Sequence, residues 1–338
     1  MPGDTKALRR KLRSFGFSDS AVSAAWPGWW SDEAESSESA KAELRFSLAR
    51  KLGLDPRPLL TDDEPRFVWH DETKFKRIST ENEQERAAIS SFGTSVARAL
   101  VTSTTPGLSP LGLGARRLRE GILASQPFVR LVDLLGLCWA LGIPVIHLRV
   151  FPLSAKRMCA MSVCVGERYA ILLGKDSVYP APVAYYLAHE IGHIALGHLG
   201  ASGAVIDLQD PLQGEITDDP EEKAADEFAL ELLTGAPRPA ITTLTKRFTA
   251  RELARTVLEI SNDVRIEPGT LALCFGHSSG RWATVHAALK HVYLQPRAVW
   301  TEVNQAGARE IDWTSMPDDM QLFIRAVMGA IPNGIGRR

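Results

Sequence analysis

Residues 185–198, with the sequence YYLAHEIGHIALGH, constrain the fold more than any other part of the chain. A proline in the first turn and glycines near the end predict a helix over residues 182–199. At about 100° per residue, His189 and His193 project from one face of that helix. A different face carries apolar side chains that predict contact with a hydrophobic core, namely Val183, Leu187, Ile191 and Ile194. The helix is therefore expected to have a core face and a ligand face.

Two imidazoles at positions i and i+4 of a helix can chelate one divalent ion. Zn²⁺ is the expected ion, with Mn²⁺ as the alternative, and it needs a third protein ligand and a position for water. Glu190 projects beside His189 and His193, near enough to accept a proton from that water, whose pKa zinc lowers to about 7. The motif therefore predicts a metal centre with Glu190 as the catalytic base.

His198 and Tyr186 lie in the same stretch and could also have roles near the metal. His198 falls about 180° around the predicted helix from His189, so one helix cannot direct both at one ion. His198 is therefore expected to be an end-of-helix or packing residue. Tyr186 lies one turn before His189 and is a candidate for positioning a substrate carbonyl, with packing as the favoured alternative.

The sequence DDPEEKAADEFALELLTGAP at residues 218–237 predicts a second helix, which Asp219 caps and Gly235 ends. Glu222 and Asp226 lie four residues apart on one face of this helix. In that arrangement Glu222 can bind the metal as the third ligand while Asp226 orients a ligand histidine. The alternative is that Glu222 completes a capping box at the start of the helix.

The identity of the third ligand stays open at this point. An offset of one residue would place Glu221 at the metal instead of Glu222. Two other carboxylates are weaker candidates that are expected to be solvated, Asp218 and Glu215. Glu222 is favoured because a helix with two histidine ligands otherwise lacks a third donor, and because Asp226 follows one turn later.

Together, the two motifs resemble the ImmA/IrrE family of metallopeptidases. The sequence HEIGHIALGH at residues 189–198 matches the HExxH motif of the family. Residues 222–233 match its second helix, which reads roughly E-x-x-A-[ND]-x-F-A and carries a leucine pair. A predicted strand and hairpin precede the first motif. The resemblance covers residues 115–236, and the proline that usually follows the leucine pair is displaced to Pro237.

The resemblance implies a gluzincin-like enzyme with a zinc ion bound by His189, His193 and Glu222, and with Glu190 as the general base. Family members cut a partner repressor of the helix-turn-helix class and thereby release genes of mobile elements, stress responses or phage defence. The chain is therefore expected to be a zinc endopeptidase with such a repressor as its substrate. The alternative is a catalytically silent, metal-bearing regulator or toxin–antitoxin component that acts by binding protein or DNA.

The expected fold class is α+β, in three domains. Residues 1–78 are expected to form a mostly helical module that loosely resembles a helix-turn-helix domain. Residues 79–236 should form the zincin-like peptidase domain with a small sheet, and residues 237–338 a mixed or helical C-terminal domain, sensor-like or accessory. In the first module Lys and Arg barely outnumber Asp and Glu, so packing or partner docking is favoured over DNA contact.

Local patterns predict the elements around the two motifs. The predicted helices cover residues 39–52, a stretch that begins near Thr80, and residues 119–141. Residues 61–77 are expected to form a linker and residues 142–151 to contain a strand. A hairpin is expected over residues 161–174, with Gly166 and Glu167 in its turn.

The composition is that of an ordinary globular chain and excludes several classes of function. The formal net charge of −1 gives no overall attraction to nucleic acid or to an anionic membrane. The first residues lack the apolar segment of a secretory signal, and the apolar run at residues 134–146 is too short to cross a bilayer. We therefore expect a cytoplasmic protein without a membrane partner, of open oligomeric state. Its four cysteines lack CxxC spacing and are expected to be free, buried thiols.

Overall fold

The computed structural model describes residues 4–61, 63–68, 73–76, 83–154, 158–200, 203–207, 218–239, 241 and 248–329. These residues form an α+β protein, as expected, with fourteen α-helices and one five-stranded sheet. The strands are β1 (Thr73–Lys76), β2 (Val145–His147), β3 (Ala160–Val165), β4 (Arg168–Leu173) and β5 (Ala204–Asp207). The helices are α1 (Asp4–Ser14), α2 (Asp19–Ala25), α3 (Glu38–Leu52), α4 (Pro56–Leu60), α5 (Glu83–Thr102), α6 (Ala115–Leu123), α7 (Leu131–Ala140), α8 (Pro180–Ala195), α9 (Pro220–Thr234), α10 (Ala250–Val264), α11 (Pro268–Ser279), α12 (Trp282–Val292), α13 (Val299–Glu310) and α14 (Asp318–Val327).

The sheet has the strand order β1-β5-β3-β4-β2. Strands β3 and β4 form the predicted antiparallel hairpin, with Gly166 and Glu167 in its turn. Strand β5 runs antiparallel to β3, and the two outer strands, β1 and β2, run parallel to their neighbours β5 and β4. The register pairs Asp207, the last residue of β5, with Ala160, the first residue of β3.

Side chains alternate along the strands, and this alternation assigns each residue to one face of the sheet. The first face packs in a core with α5 and includes Met161, Val163 and Ile206. The second face packs in a core with α7 and α8 and includes Ala160, Cys164 and Val205. Ser162 and Asp207 lie two residues along from Cys164 and Val205. Alternation therefore directs both polar side chains toward the face that carries α8.

The helix of the HEIGH sequence is α8, and it begins and ends earlier than the sequence predicts. Instead of residues 182–199 it spans Pro180–Ala195, with a proline as its first residue. The chain leaves the helix at Gly197, which has a positive φ of 76° that glycine adopts without strain. His198 therefore lies beyond the helix, so the helical angle that separated it from His189 does not apply.

Helix α9 packs closely against α8, and a glycine permits this contact. It spans Pro220–Thr234 as predicted, after the Asp219 cap. A Cβ atom added at Gly192 of α8 would lie 3.2 Å from the Ala225 carbonyl oxygen and 3.2 Å from Phe228. The backbones of the two helices therefore approach each other within the HEIGH sequence itself.

The helix predicted over residues 119–141 is two helices in the structure. Helix α6 ends at Leu123 and α7 begins at Leu131, with Pro127 between them. Proline has no amide hydrogen and its ring clashes with the preceding helical turn, so the chain changes direction there. The prediction of one continuous helix over residues 119–141 was therefore wrong.

The strand predicted within residues 142–151 is restricted to β2. The Arg149 N–H donates to the Val327 carbonyl of α14 at 2.7 Å, which draws the chain away from the sheet. Beside β2, Asn304 of α13 accepts the His147 N–H at 2.7 Å and donates to the His147 carbonyl at 2.8 Å. A side-chain amide thus satisfies backbone groups that a neighbouring strand would otherwise pair.

The terminal regions share hydrophobic cores with the sheet. Apolar residues of α1–α5, of β3 and β4, and of α14 belong to one cluster. The described part of residues 237–338 is helical, and residues 73–76, expected in a linker, form edge strand β1. The expected helix start near Thr80 lies outside the described residues. The three-domain division at residues 78 and 236 stays a prediction.

Two further expectations from composition concern the membrane and the cysteines. None of the helices in the described residues is both long and apolar enough to cross a membrane. All four cysteines are free and buried, as expected. Burial raises the pKa of the Cys274 thiol to about 12, so this group stays protonated.

A buried ion pair joins α3 to α14. Lys51 Nζ lies 3.3 Å from Asp319 Oδ2 and donates to the Ala25 carbonyl at 3.2 Å, and the Lys51 side chain is 1% exposed. Burial lowers the pKa of Lys51, while the charge of Asp319 opposes that decrease. Asp319 therefore compensates a positive charge that is costly to bury alone.

Replacing Asp319 with Asn is expected to destabilise the protein by about 3 kcal/mol, because Lys51 would remain as an uncompensated buried charge. Urea unfolding followed by circular dichroism measures this change. Asp318→Asn is the matched control, since Asp318 is exposed in the same turn of α14 and its loss should cost less than about 1 kcal/mol. Equal stability of the two variants would contradict the assigned role of the pair.

Candidate metal centre

Four side chains converge between α8, α9 and the end of β5. They are His189 and His193 of α8, Glu222 of α9 and Asp207 of β5. Each offers one donor atom, and these atoms lie within 4.8 Å of one another. All four residues are buried, with at most 1% of their surface exposed. Imidazole nitrogen and carboxylate oxygen are metal ligands, so this group can hold a divalent ion.

Three of four separations between donor atoms match the edges of a zinc tetrahedron. His189 Nε2 lies 3.0 Å from His193 Nε2 and 3.3 Å from Asp207 Oδ2. Glu222 places Oε2 at 3.6 Å from His189 Nε2 and Oε1 at 3.3 Å from His193 Nε2. A tetrahedral edge is about 1.6 times the centre-to-corner distance, so zinc bonds of roughly 2.0–2.2 Å predict edges of about 3.3–3.6 Å. The carboxylate separations match this range, whereas the two imidazole nitrogens lie closer together and Glu222 approaches each histidine with a different oxygen. The group is therefore compact enough to hold a single ion.

Each of the two histidines is held by a partner on its other ring nitrogen. His189 Nδ1 lies 2.9 Å from Asp226 Oδ1, which is the contact expected from the sequence. Tyr185 donates its hydroxyl hydrogen to the same Asp226 oxygen at 2.7 Å. His193 Nδ1 lies 2.8 Å from His198 Nδ1. These contacts direct both Nε2 atoms toward the centre of the group.

Glu190 lies next to this group without being one of its four donors. Its side chain is completely buried, and the Ser162 hydroxyl of β3 donates to Oε2. Among the described residues, Oε1 has no hydrogen-bond partner. Burial raises the pKa of Glu190 well above its ordinary value, and the charge of Asp207 adds to that increase. The carboxyl group therefore favours its protonated form until a cation lies close by.

The charges within the group compensate one another. Burial alone would lower the pKa of His189, but hydrogen bonds to Asp207, Asp226 and Glu222 outweigh burial and raise the pKa well above its ordinary value. Burial alone would raise the pKa of Glu222, but hydrogen bonds from His189 and His193 outweigh it and lower the pKa. A proton on His189 thus compensates part of the negative charge of the surrounding carboxylates.

Glu221, the rival third ligand, lies outside the group. Its carboxylate pairs with Lys74 Nζ of β1 at 2.7 Å. Asp218 is exposed, and Glu215 lies outside the described residues. Glu222 is therefore the carboxylate that α9 places beside the two histidines.

The two neighbouring tyrosines of α8 differ in their relation to the site. Tyr186 is 4% exposed and packs in the core shared by α7 and α8, with its ring 6.4 Å from that of Tyr185. This environment supports the packing alternative for Tyr186. Tyr185 is the tyrosine that reaches the group, through its hydrogen bond to Asp226.

Several contacts of the site were missed by the sequence analysis. Asp207 ends the apolar stretch AVID at residues 204–207, and a carboxylate two positions after a buried valine is the available signal. Ser162 is likewise a polar residue within an apolar strand. The contact of His198 with His193 depends on the early end of α8 at Ala195, which the periodicity did not reveal.

The fold and the site define an α+β protein with a buried group of ligands for a divalent ion. No family model, curated protein or solved structure matches the chain. The resemblance to the ImmA/IrrE family therefore rests on the motif residues, and membership in that family is a proposal.

Glu222→Gln is expected to weaken zinc binding at least about tenfold, whereas Glu221→Gln should leave it unchanged. The reason is that Glu222 faces both histidines, while Glu221 pairs with Lys74. Competition with a chromophoric chelator measures both dissociation constants. If both variants keep the wild-type affinity but lose helix stability, Glu222 is a capping residue and not a ligand.

Metal affinity is expected to increase with pH across the neutral range, because an ion must displace the proton that the raised pKa keeps on His189. Below that pKa the proton competes with the metal, and above it the competition ends. One proton released per ion corresponds to roughly a tenfold gain in affinity per pH unit. Calorimetry in buffers of different ionisation enthalpy counts the protons, and a pH-independent affinity would contradict this assignment.

Proposed function

We propose that the protein is a zinc-dependent endopeptidase of the ImmA/IrrE type, which hydrolyses a peptide bond in a partner protein. The observation that carries this proposal is the position of Glu190. Its carboxyl group is buried beside the four donors, is held by Ser162 and is not itself one of them. A purely structural metal site has no use for a further buried carboxyl group at that position, whereas hydrolysis needs a base there.

A divalent ion held by His189, His193 and Glu222 would supply Lewis-acid chemistry, polarising the scissile carbonyl and lowering the pKa of water. Glu190 then accepts a proton from the attacking water and donates it to the nitrogen of the leaving amine. Ser162 holds Oε2 of Glu190, so Oε1 is the oxygen that exchanges the proton.

The residues behind the two histidines have positioning roles in this proposal. Asp226 Oδ1 lies 2.9 Å from His189 Nδ1, a contact that leaves Nε2 free to bind the ion. Tyr185 in turn fixes the Asp226 carboxylate, and His198 fixes the ring of His193. Because these partners lie outside the donor group, they set ring orientation without occupying a coordination position.

The resemblance also supports a substrate class. The partner would be a helix-turn-helix transcriptional repressor, cut in an exposed or partly unfolded segment, since a buried metal centre acts only on a backbone that extends into it. Cleavage would release genes of a stress response, a mobile element or phage defence. In this proposal the protein acts in the cytoplasm, and α1–α4 dock a partner or, less favoured, contact DNA.

A second candidate function is a catalytically silent, metal-bearing regulator that acts by association. The observation that favours it is Asp207, which completes a set of four protein donors. Structural zinc sites have four protein ligands, whereas catalytic sites have three and a position for water. In that case the ion would stabilise the contact of β5 with α8 and α9, and a toxin–antitoxin or repressor partner would be bound without being cut.

Glu190→Gln is expected to retain the fold and the metal but to slow cleavage of the repressor by roughly 10²- to 10⁴-fold. Folding should persist because Gln resembles the protonated carboxyl group that the raised pKa favours. Mass spectrometry of the repressor after incubation detects the products, with chelator-treated protein as a second control. Glu227→Gln is the matched variant, since Glu227 is a carboxylate on the surface of α9 that pairs with Arg238.

A repressor–DNA binding assay completes this experiment. Cleavage by the wild type and by Glu227→Gln, but not by Glu190→Gln, is the expected result. If the wild type and Glu190→Gln relieve repression equally and no products form, the silent regulator is the correct function.

A further inference from the structure

Asp207 is held at the metal centre by the sheet. It is the last residue of β5, and its carbonyl accepts the Cys159 N–H at 2.7 Å, which fixes its backbone beside the start of β3. The side chain lies on the same face as that of Val205, which packs in the core with α8. Its carboxylate is consequently 1% exposed, with Oδ2 at 3.3 Å from His189 Nε2.

The 3.3 Å separation matches one edge of a zinc tetrahedron, and Glu222 places Oε2 and Oε1 at similar distances, 3.6 and 3.3 Å, from the two histidines. From this geometry we infer that Asp207 is a fourth metal ligand and occupies the coordination position that a solvent molecule would otherwise take. The consequence, which rests on the proposed function, is that the repressor is cut only after its binding displaces Asp207 from the ion.

Glu222 and Asp207 differ in how firmly they are held. Glu222 lies in the first turn of α9, whose Asp219 cap and close contact with α8 at Gly192 fix its position. Asp207 is at a strand end, and its Oδ2 lies 3.3 Å from His189 Nε2. Glu222, by contrast, contacts both histidines, with Oε2 at 3.6 Å from His189 Nε2 and Oε1 at 3.3 Å from His193 Nε2. Asp207 is the carboxylate that can be displaced.

Displacement of Asp207 would also change the charge at the centre. A divalent cation with Glu222 and Asp207 bound is neutral, whereas the same cation with Glu222 alone carries one positive charge. A larger net positive charge lowers the pKa of a bound solvent molecule and strengthens the polarisation of a carbonyl group. Movement of Asp207 away from the ion would thus open a coordination position. It would at the same time increase the reactivity of a molecule bound at that position.

The test uses the full-length protein loaded with Co²⁺, whose visible spectrum reports coordination number and ligand exchange, and azide as a probe of an open position. The variants are Asp207→Ala and Asp207→Asn, with Asp218→Ala as the matched control because Asp218 is an exposed carboxylate beside α9. Circular dichroism verifies that each variant is folded. The zinc dissociation constant is measured in parallel by chelator competition.

The wild type and Asp218→Ala are expected to have the same spectrum, which azide does not change. In Asp207→Ala the bands should shift on addition of azide, and the zinc dissociation constant should increase at least about tenfold. Asp207→Asn keeps the shape of the side chain and should give an intermediate response. An azide response in the wild type, or a spectrum and affinity of Asp207→Ala equal to those of the wild type, would overturn the inference.

Cleavage assays distinguish a wrong peptidase proposal from a wrong assignment of Asp207. Repressor cleavage by Asp207→Ala and by the Asp207→Ala, Glu190→Gln double variant is measured separately from the spectra. If Asp207→Ala binds azide but cuts nothing, Asp207 is a ligand and the peptidase proposal fails. If Asp207→Ala has the wild-type spectrum while the wild type cuts the repressor, the peptidase proposal holds and the assignment of Asp207 fails.

Discussion

The close contact of α8 with α9 at Gly192 is the constraint on which the site depends. Because this residue has no side chain, the backbone of α9 approaches the helix that carries both histidines, and its first turn presents Glu222 to them. A Cβ atom there would lie 3.2 Å from the Ala225 carbonyl oxygen, so α9 or Phe228 would have to shift by a few tenths of an ångström relative to the histidines. The glycine within HEIGH therefore sets how closely Glu222 approaches the two imidazoles.

That contact buries ionisable groups that would be costly to bury singly. Glu190, Asp207 and Glu222 lie beside His189 and His193, all of them within the core. A proton on His189, the Ser162 hydroxyl and mutual hydrogen bonds compensate these charges in the protein without metal. Because the donors come from three elements that are distant in sequence, an ion bound there would also link those elements and contribute to the stability of the fold.

The part of the site on helices could be predicted from the sequence, because side-chain spacing on a helix is local information. His189, His193 and the pair of Glu222 with Asp226 follow from four-residue spacings. The one local signal of Asp207 is a carboxylate two positions after Val205 in an apolar stretch. Its place is not local information, because it depends on the register of β5 with β3, which links distant segments. The edge strand β1 was missed for the same reason. The break between α6 and α7 at Pro127, by contrast, depends on the local sequence and could have been predicted.

The contact of Asn304 with β2 has a consequence for how this protein meets other chains. Outer strands usually present unpaired backbone groups, which can recruit a strand from another molecule and start aggregation. Here one amide side chain occupies both the N–H and the carbonyl of His147, and its Nδ2 also donates to the Met328 carbonyl. A helix residue thus takes the place of a sixth strand at His147, so the backbone groups of this residue are closed to a strand from another molecule.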